Sequence, residues 1–183
     1  MNFNVFTKPK EAFGEAIESP NMAVALLTVI IAGVLIGIVS YALTSVPLAI
    51  IISVLIGIIQ WLLMSVLLWG FGFMFSGKKK GSQEKSFMET ASASGRLWIL
   101  VVAAAALFNL AILSFMVGLV LLSAVFVILI FILFLMFIIA SYALVKVVLD
   151  AERGRAIVAW LLLMVLAALI WAVAQLGWAR VFA

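Results

Sequence analysis

Seven acidic side chains are the first candidates for acid–base or metal chemistry in this 183-residue chain, which has no His and no Cys. Without those two residue types, Cys/His nucleophilic pairs, thiolate zinc sites, His-ligated haem and redox disulfides are excluded. Glu11, Glu15 and Glu18 share a helical spacing that loosely gathers a cation. Nothing beside them supplies further ligands, so a solvated charged face is expected instead. Asp150 and Glu152 adjoin Arg153 and Arg155, where ion pairing is the ordinary outcome. No glycine-rich phosphate loop is present. The chain is therefore expected to be no enzyme and to carry neither metal nor cofactor.

The remaining chemistry is that of neutral polar groups within apolar runs, which often mark a pathway in membrane proteins. Gln60 and Asn109 are the strongest of these, with Ser53, Ser65, Ser123 and Ser141 behind them. Hydrogen bonds between helices are their expected role, each worth about 1 kcal/mol or less. A substrate site is the alternative. An ion- or proton-coupled transporter would need a buried carboxylate, and no acidic or basic residue lies deep in any expected span.

The elements that position these groups follow from composition. At 69% hydrophobic and 10% charged residues, with a mean hydropathy of +1.45, the apolar surface exceeds what a water-soluble fold of this length can hide. The runs are too long and too poor in alternation for barrel strands, so an all-α polytopic membrane protein is expected. Five spans are predicted, over 22–43, 48–75, 97–113, 119–145 and 156–176. Each reaches or approaches the roughly 20 residues that a 30 Å hydrocarbon core requires. Pro20 is expected in the first helical turn of the first span, and Pro47 ends that helix by disfavouring helix at Val46. The break between the third and fourth spans is expected within Ser114–Gly118.

Positive charge tests the layout, because Lys and Arg accumulate on the cytoplasmic side. With five crossings and the N-terminus inside, every one of the 11 Lys and Arg except Arg180 is cytoplasmic, as are all seven acidic residues. The C-terminus is then outside. Glu11, Glu15 and Glu18 before the first run argue against a cleaved signal peptide. Within residues 1–21, Phe6, Pro9, Phe13, Ala16 and Ile17 recur three or four apart, which predicts a short helix in the inner interface.

Gly33 and Gly37 form a GxxxG pattern, Ala103 to Ala106 line the third span, and Ala168 and Ala172 line the fifth. Packing within the bundle is their expected use, with a homo-oligomer face as the alternative. Trp98 and Trp160 near the inner boundary, and Trp171 and Trp178 near the outer one, are expected as interface anchors. Trp61, deep in its span, is expected to pack. The loop before the third span carries Lys78, Lys79 and Lys80, which suit anionic lipid or serve as a topology signal. Ser86-Phe87-Met88-Glu89 has capping-box spacing, so a helix should start there and carry Phe87 through Ala91–Gly95 into the span. This segment is a candidate surface for lipid or a protein partner. No nucleic-acid partner is expected.

Phe6-Thr7-Lys8-Pro9-Lys10-Glu11-Ala12-Phe13, Ser19-Pro20, Ser86-Phe87-Met88-Glu89 and Arg153-Gly154-Arg155-Ala156 occur in an order that resembles prokaryotic members of the Yip1 family. The likeness covers essentially the whole chain. It implies five transmembrane helices and a cytoplasmic N-terminus. Eukaryotic relatives are associated with vesicle traffic and prenylated Rab-type GTPases, and carry a long polar N-terminal region and an Asp-Leu-Tyr-Gly-Pro motif. This chain has neither, and its only aspartate is Asp150, so no GTPase-binding residue is carried over. The expectation is a non-enzymatic scaffold or adaptor working through its cytoplasmic face. Its rival is a small solute or ion transporter or channel using Gln60 and Asn109.

Overall fold

A computed structural model describes residues 3–75 and 85–182. A 3-10 turn, Phe3–Val5, precedes six helices: α1 Pro9–Glu18, α2 Met22–Thr44, α3 Ala49–Phe75, α4 Phe87–Met116, α5 Val120–Leu149 and α6 Arg153–Phe182. No strand occurs among the described residues. Met22–Ala42, Ala49–Phe75, Phe87–Met116 and Val120–Leu149 are long and apolar enough to cross a membrane. The chain is thus an all-α integral membrane protein with four such helices among the described residues. The fifth expected span lies within α6, much of whose side-chain detail falls outside the described residues.

Local chemistry sets the helix ends. Pro9 opens α1, where a missing N–H costs nothing. Pro20 lies before α2 rather than in its first turn, because Asn21 takes the N-cap and its side chain accepts from the Val24 amide at 3.0 Å. Ser45 ends α2 in the left-handed conformation, its N–H donating to Tyr41 O. At the α4–α5 turn, Gly118 sits at φ +81°, a value that L side chains rarely adopt. The break therefore falls at 117–119, at the far edge of the expected stretch.

α4 starts at the expected capping box, ten residues before the apolar span that it carries. The capping box is present: the Ser86 amide donates to Glu89 Oε2 at 2.7 Å, and the Glu89 amide donates to Ser86 Oγ at 3.2 Å. From there Thr90 to Gly95 are all buried. Hydropathy alone places the start late because these residues are small and mildly polar, yet their size is what lets neighbouring helices close over them.

Packing follows a wedge and a wall. α2 packs extensively on α3 and α4, and α4 on α5, while α6 lies more loosely along α5 and α3. α1 seats against α4 and α5, burying Ala12, Phe13 and Ala16 completely. The predicted interfacial helix thus exists, but its apolar face meets protein. Phe13 is sealed inside and offers no surface. Outward, α5 shows apolar groups such as Leu121 and Phe131, 86% and 61% exposed, as expected of a helix facing acyl chains.

Candidate functional site

The apolar character of α3 is interrupted on one side only. Ser53, Gly57, Gln60 and Trp61 follow one another at helical spacing, with Met64 and Leu68 continuing the same line. This line faces a partly open cavity of about 650 Å³ lined by five helices. α2 contributes Ile36, Ser40 and Thr44; α4 contributes Ser94, Leu97, Trp98 and Val101; α5 contributes Phe137, Ser141, Leu144 and Val145; α6 contributes Leu163, Met164 and Ala167. Among the described residues no charged side chain lines it. Its chemistry is therefore dispersion and neutral hydrogen bonding.

One wall is held by a buried polar knot. Trp61, 2% exposed, donates its indole N–H to Ala91 O and Ser94 Oγ, both at 3.1 Å. Ser65 Oγ bonds to Trp61 O and Ser94 Oγ, both at 2.7 Å, and Ser94 Oγ reaches Ala91 O at 3.0 Å. Trp61 thus packs, as its depth suggests, and also ties α3 to α4. On the opposite wall, Trp160 Nε1 donates to Ser141 Oγ at 2.9 Å and its ring meets Tyr142 edge-on. Among the described residues this is the hydrogen bond that joins α6 to the rest of the bundle.

The two leading polar candidates are separated. Asn109 Nδ2 donates to Leu35 O on α2 at 3.0 Å and to Ala105 O at 2.8 Å, an interhelical tie. It does not line the cavity. Gln60 does, half-buried and with no hydrogen-bond partner among the described residues. Ser53 and Ser141 line the cavity with it, Ser65 belongs to the Trp61 knot, and Ser123 Oγ donates to Ala111 O beside the α4–α5 turn.

Gly33 and Gly37 face α3: a Cβ at either would stand 2.6 Å from Val54 Cα or 2.5 Å from Ile50 Cα. The GxxxG pattern is thus spent on packing within the chain. Of the small residues named on the last helix, Ala168 and Ala172 point outward. The inward line is instead Ala156, Ala159, Leu163 and Ala167, about one residue out of phase. Trp98 and Trp160 are engaged by the bundle and are not free interface anchors. Trp171 and Trp178 have side chains outside the described residues, and Lys78, Lys79 and Lys80 lie outside them altogether.

The charged groups form a second region at the α1 end. Lys8 pairs with Glu11 at 3.1 Å, and Arg96 with Glu15 at 3.4 Å, so these carboxylates are engaged by cations of the chain. Arg96 thereby pins α1 to α4. The expected pairing of Asp150 and Glu152 with Arg153 and Arg155 does not occur; all four are exposed, and Asp150 ends α5 at φ 45°. Lys85 instead reaches back to Val147 O. Burial lowers its ammonium pKa, with Asp150 and Glu89 opposing the shift. Phe87 is half-buried, its ring edge-on to Trp69 with centroids 6.3 Å apart. Its ring thus packs within the chain, which leaves charged groups as the open surface here.

No family model, curated protein or solved structure matches the chain. The class that the fold and these two regions define is an all-α integral membrane protein with an uncharged interhelical cavity and one charged end.

Proposed function

We propose that the protein is a non-enzymatic scaffold or adaptor of a prokaryotic cytoplasmic membrane, related to the Yip1 family. In this reading five helices cross, α6 being the fifth, with the N-terminus cytoplasmic and the C-terminus outside. The observation that carries it is the docking of α1. With Ala12, Phe13 and Ala16 buried and Glu15 bonded to Arg96, the helix holds Lys10, Glu11 and Glu18 outward on a fixed frame. Fixed charges select partners and steer association more than they add affinity. A folded protein is the partner such a mixed-charge face suits.

Photo-crosslinkers at Lys10 and Glu18 in native membranes test this, with buried Phe13 as control. One recurring protein captured at the exposed sites is the expected result. Lipid or self adducts alone at both would overturn the scaffold. The topology has its own test, since the chain has no Cys. A Lys10→Cys protein should be labelled only after permeabilisation, and Arg180→Cys from outside.

The cavity favours a second reading, passage of a small uncharged solute. Gln60 is then the relevant polar group, because Asn109 is committed to Leu35 O. Saturable flux abolished by Gln60→Leu, and not by Asn109→Leu, would establish it over the scaffold.

A further inference from the structure

The scaffold reading leaves the cavity without an occupant, and its lining says what would fit. Among the described residues no charged side chain faces it, so a charged guest would lose its hydration with no counter-charge from them in return. Its volume of about 650 Å³ lies inside the range of roughly 300–1,000 Å³ typical of small-molecule sites. The walls are mostly apolar, with Met64, Trp98, Phe137 and Met164 among them.

Three polar groups in it stand apart from the rest, two of them on α3. Ser40 donates to Ile36 O, Thr44 to Ser40 O, Ser141 to Ile138 O, and Ser94 belongs to the Trp61 knot. Ser53, Gln60 and the indole N–H of Trp98 have no hydrogen-bond partner among the described residues. Ser53 is only 7% exposed. A hydroxyl so little exposed is costly without a partner and is normally met by something, and the half-buried Gln60 amide faces the same space. Ser53 and Gln60 lie two turns apart on one face of α3, about 10 Å along its axis. That spacing leaves room for one neutral head group between them and for a chain extending along the apolar line beyond Gln60 to Leu68.

The geometry points to a binding site for a neutral lipid, an alkyl or isoprenoid chain bearing a hydroxyl or carbonyl group that bonds to Gln60 and Ser53. The surrounding bilayer supplies such molecules. α6 is the wall least tightly packed on the other helices, and it is where a chain would enter. This inference goes beyond the scaffold reading and does not depend on it.

The test uses the full-length protein in nanodiscs and a diazirine-bearing hexadecanol. Adducts are expected on Met64, Trp98 or Met164, displaced by unlabelled hexadecanol and not by hexadecyl phosphate. Gln60→Leu should weaken displacement by hexadecanol about three- to tenfold, the loss of one neutral hydrogen bond. Ala167→Phe should reduce cavity adducts about tenfold or more by filling the space. Melting curves check that both variants fold, and if Ala167→Phe does not, Gln60→Leu decides. Adducts confined to lipid-facing positions such as Leu121 and Phe131 would overturn the site, leaving water as its occupant. Equal displacement by the phosphate would overturn the neutral class, and an unchanged Gln60→Leu would overturn the anchoring role.

Discussion

The two sides of the bundle solve the same packing problem differently. Where α2 meets α3 and α4, backbones almost touch. Cβ atoms at Gly33 and Gly37 would stand within 2.6 Å of α3 backbone, and one at Gly95 would lie 2.3 Å from Ala25 Cβ and 2.8 Å from its Cα. On the α5–α6 side, Phe137, Leu144, Leu163 and Met164 hold the helices apart and leave the cavity. Acyl chains are as apolar as the helices, so burial of hydrocarbon does not drive association. Close contact must come from dispersion and hydrogen bonds, which need small residues. The wedge has them where its backbones cross, whereas beside the cavity Phe137, Leu144, Leu163 and Met164 stand next to the small Ala159 and Ala167 of α6. One side is thus built for rigidity and the other for space.

Adding one methyl group to the wedge should break the contrast most severely. Gly95→Ala puts a Cβ into Ala25, whose backbone must move, and overpacking of this kind costs about 1–3 kcal/mol. A fall in stability toward the upper end of that range is expected in detergent melting or steric trapping. A neutral result would mean that the wedge is no tighter than the wall.

Trp61→Phe sharpens the comparison by removing polar ties while keeping most of the ring. The variant loses the indole bonds to Ala91 O and Ser94 Oγ, for an expected loss of about 1 kcal/mol. Ser94→Ala in the same background should add less than it costs alone, since both act in one network. Full additivity in the double-mutant cycle would dissolve the knot as a unit.

How much of this was legible beforehand depends on what each residue reports. The four apolar spans in α2 to α5, the capping box at Ser86 and Glu89, and the helix opened by Pro9 follow from hydropathy and local hydrogen-bonding chemistry, both of which are written in adjacent residues. Which face of a helix looks inward is weaker information in a membrane protein, because α2, α3 and α5 are apolar all round. Ala168 and Ala172 illustrate the ambiguity, lying one residue out of phase with the true inner line. The polar residues were the better guide. Ser53, Gln60, Trp61 and Ser65 all fall on one side of α3, and that clustering marks the cavity and the knot together. The separation of Gln60 from Asn109 was not legible, since it depends on how α2 wedges between its neighbours. Nor was the burial of Phe13, because an amphipathic face reads the same whether lipid or protein covers it.

Asn109→Leu should have a smaller effect than Trp61→Phe. It removes one bond from α4 to Leu35 O on α2, and membrane interhelical hydrogen bonds average about 0.6 kcal/mol. A loss well above about 1 kcal/mol would show that Asn109 carries more than this tie.

At the charged end, burial holds the Lys85 pKa below its ordinary value of 10.5. A base with a lowered folded pKa gives up its proton first in the folded state. Between the folded value and 10.5 the unfolded chain therefore binds more protons, and stability rises with pH across that interval. Lys85→Met should flatten this alkaline rise in melting temperature by a small margin. Identical profiles would remove Lys85 from the account.

The smallest expected change lies on the wall. Ala167→Leu adds three carbons at a position that lines open space, where Gly95→Ala adds one against a backbone. If the cavity is as roomy as its volume implies, the larger addition should be the milder one, within about 0.5 kcal/mol of wild type. It should also be less tolerated once a lipid occupies the site, because the added atoms and the guest compete for the same volume. Melting the variant with and without hexadecanol separates the two cases: the wild type should gain stability on addition and Ala167→Leu should gain less. A substitution that is neutral alone and costly only with the ligand present is the signature of space kept open for a guest. The same loss in both conditions would instead mark the wall as packed, and the contrast between the two sides of the bundle would fail.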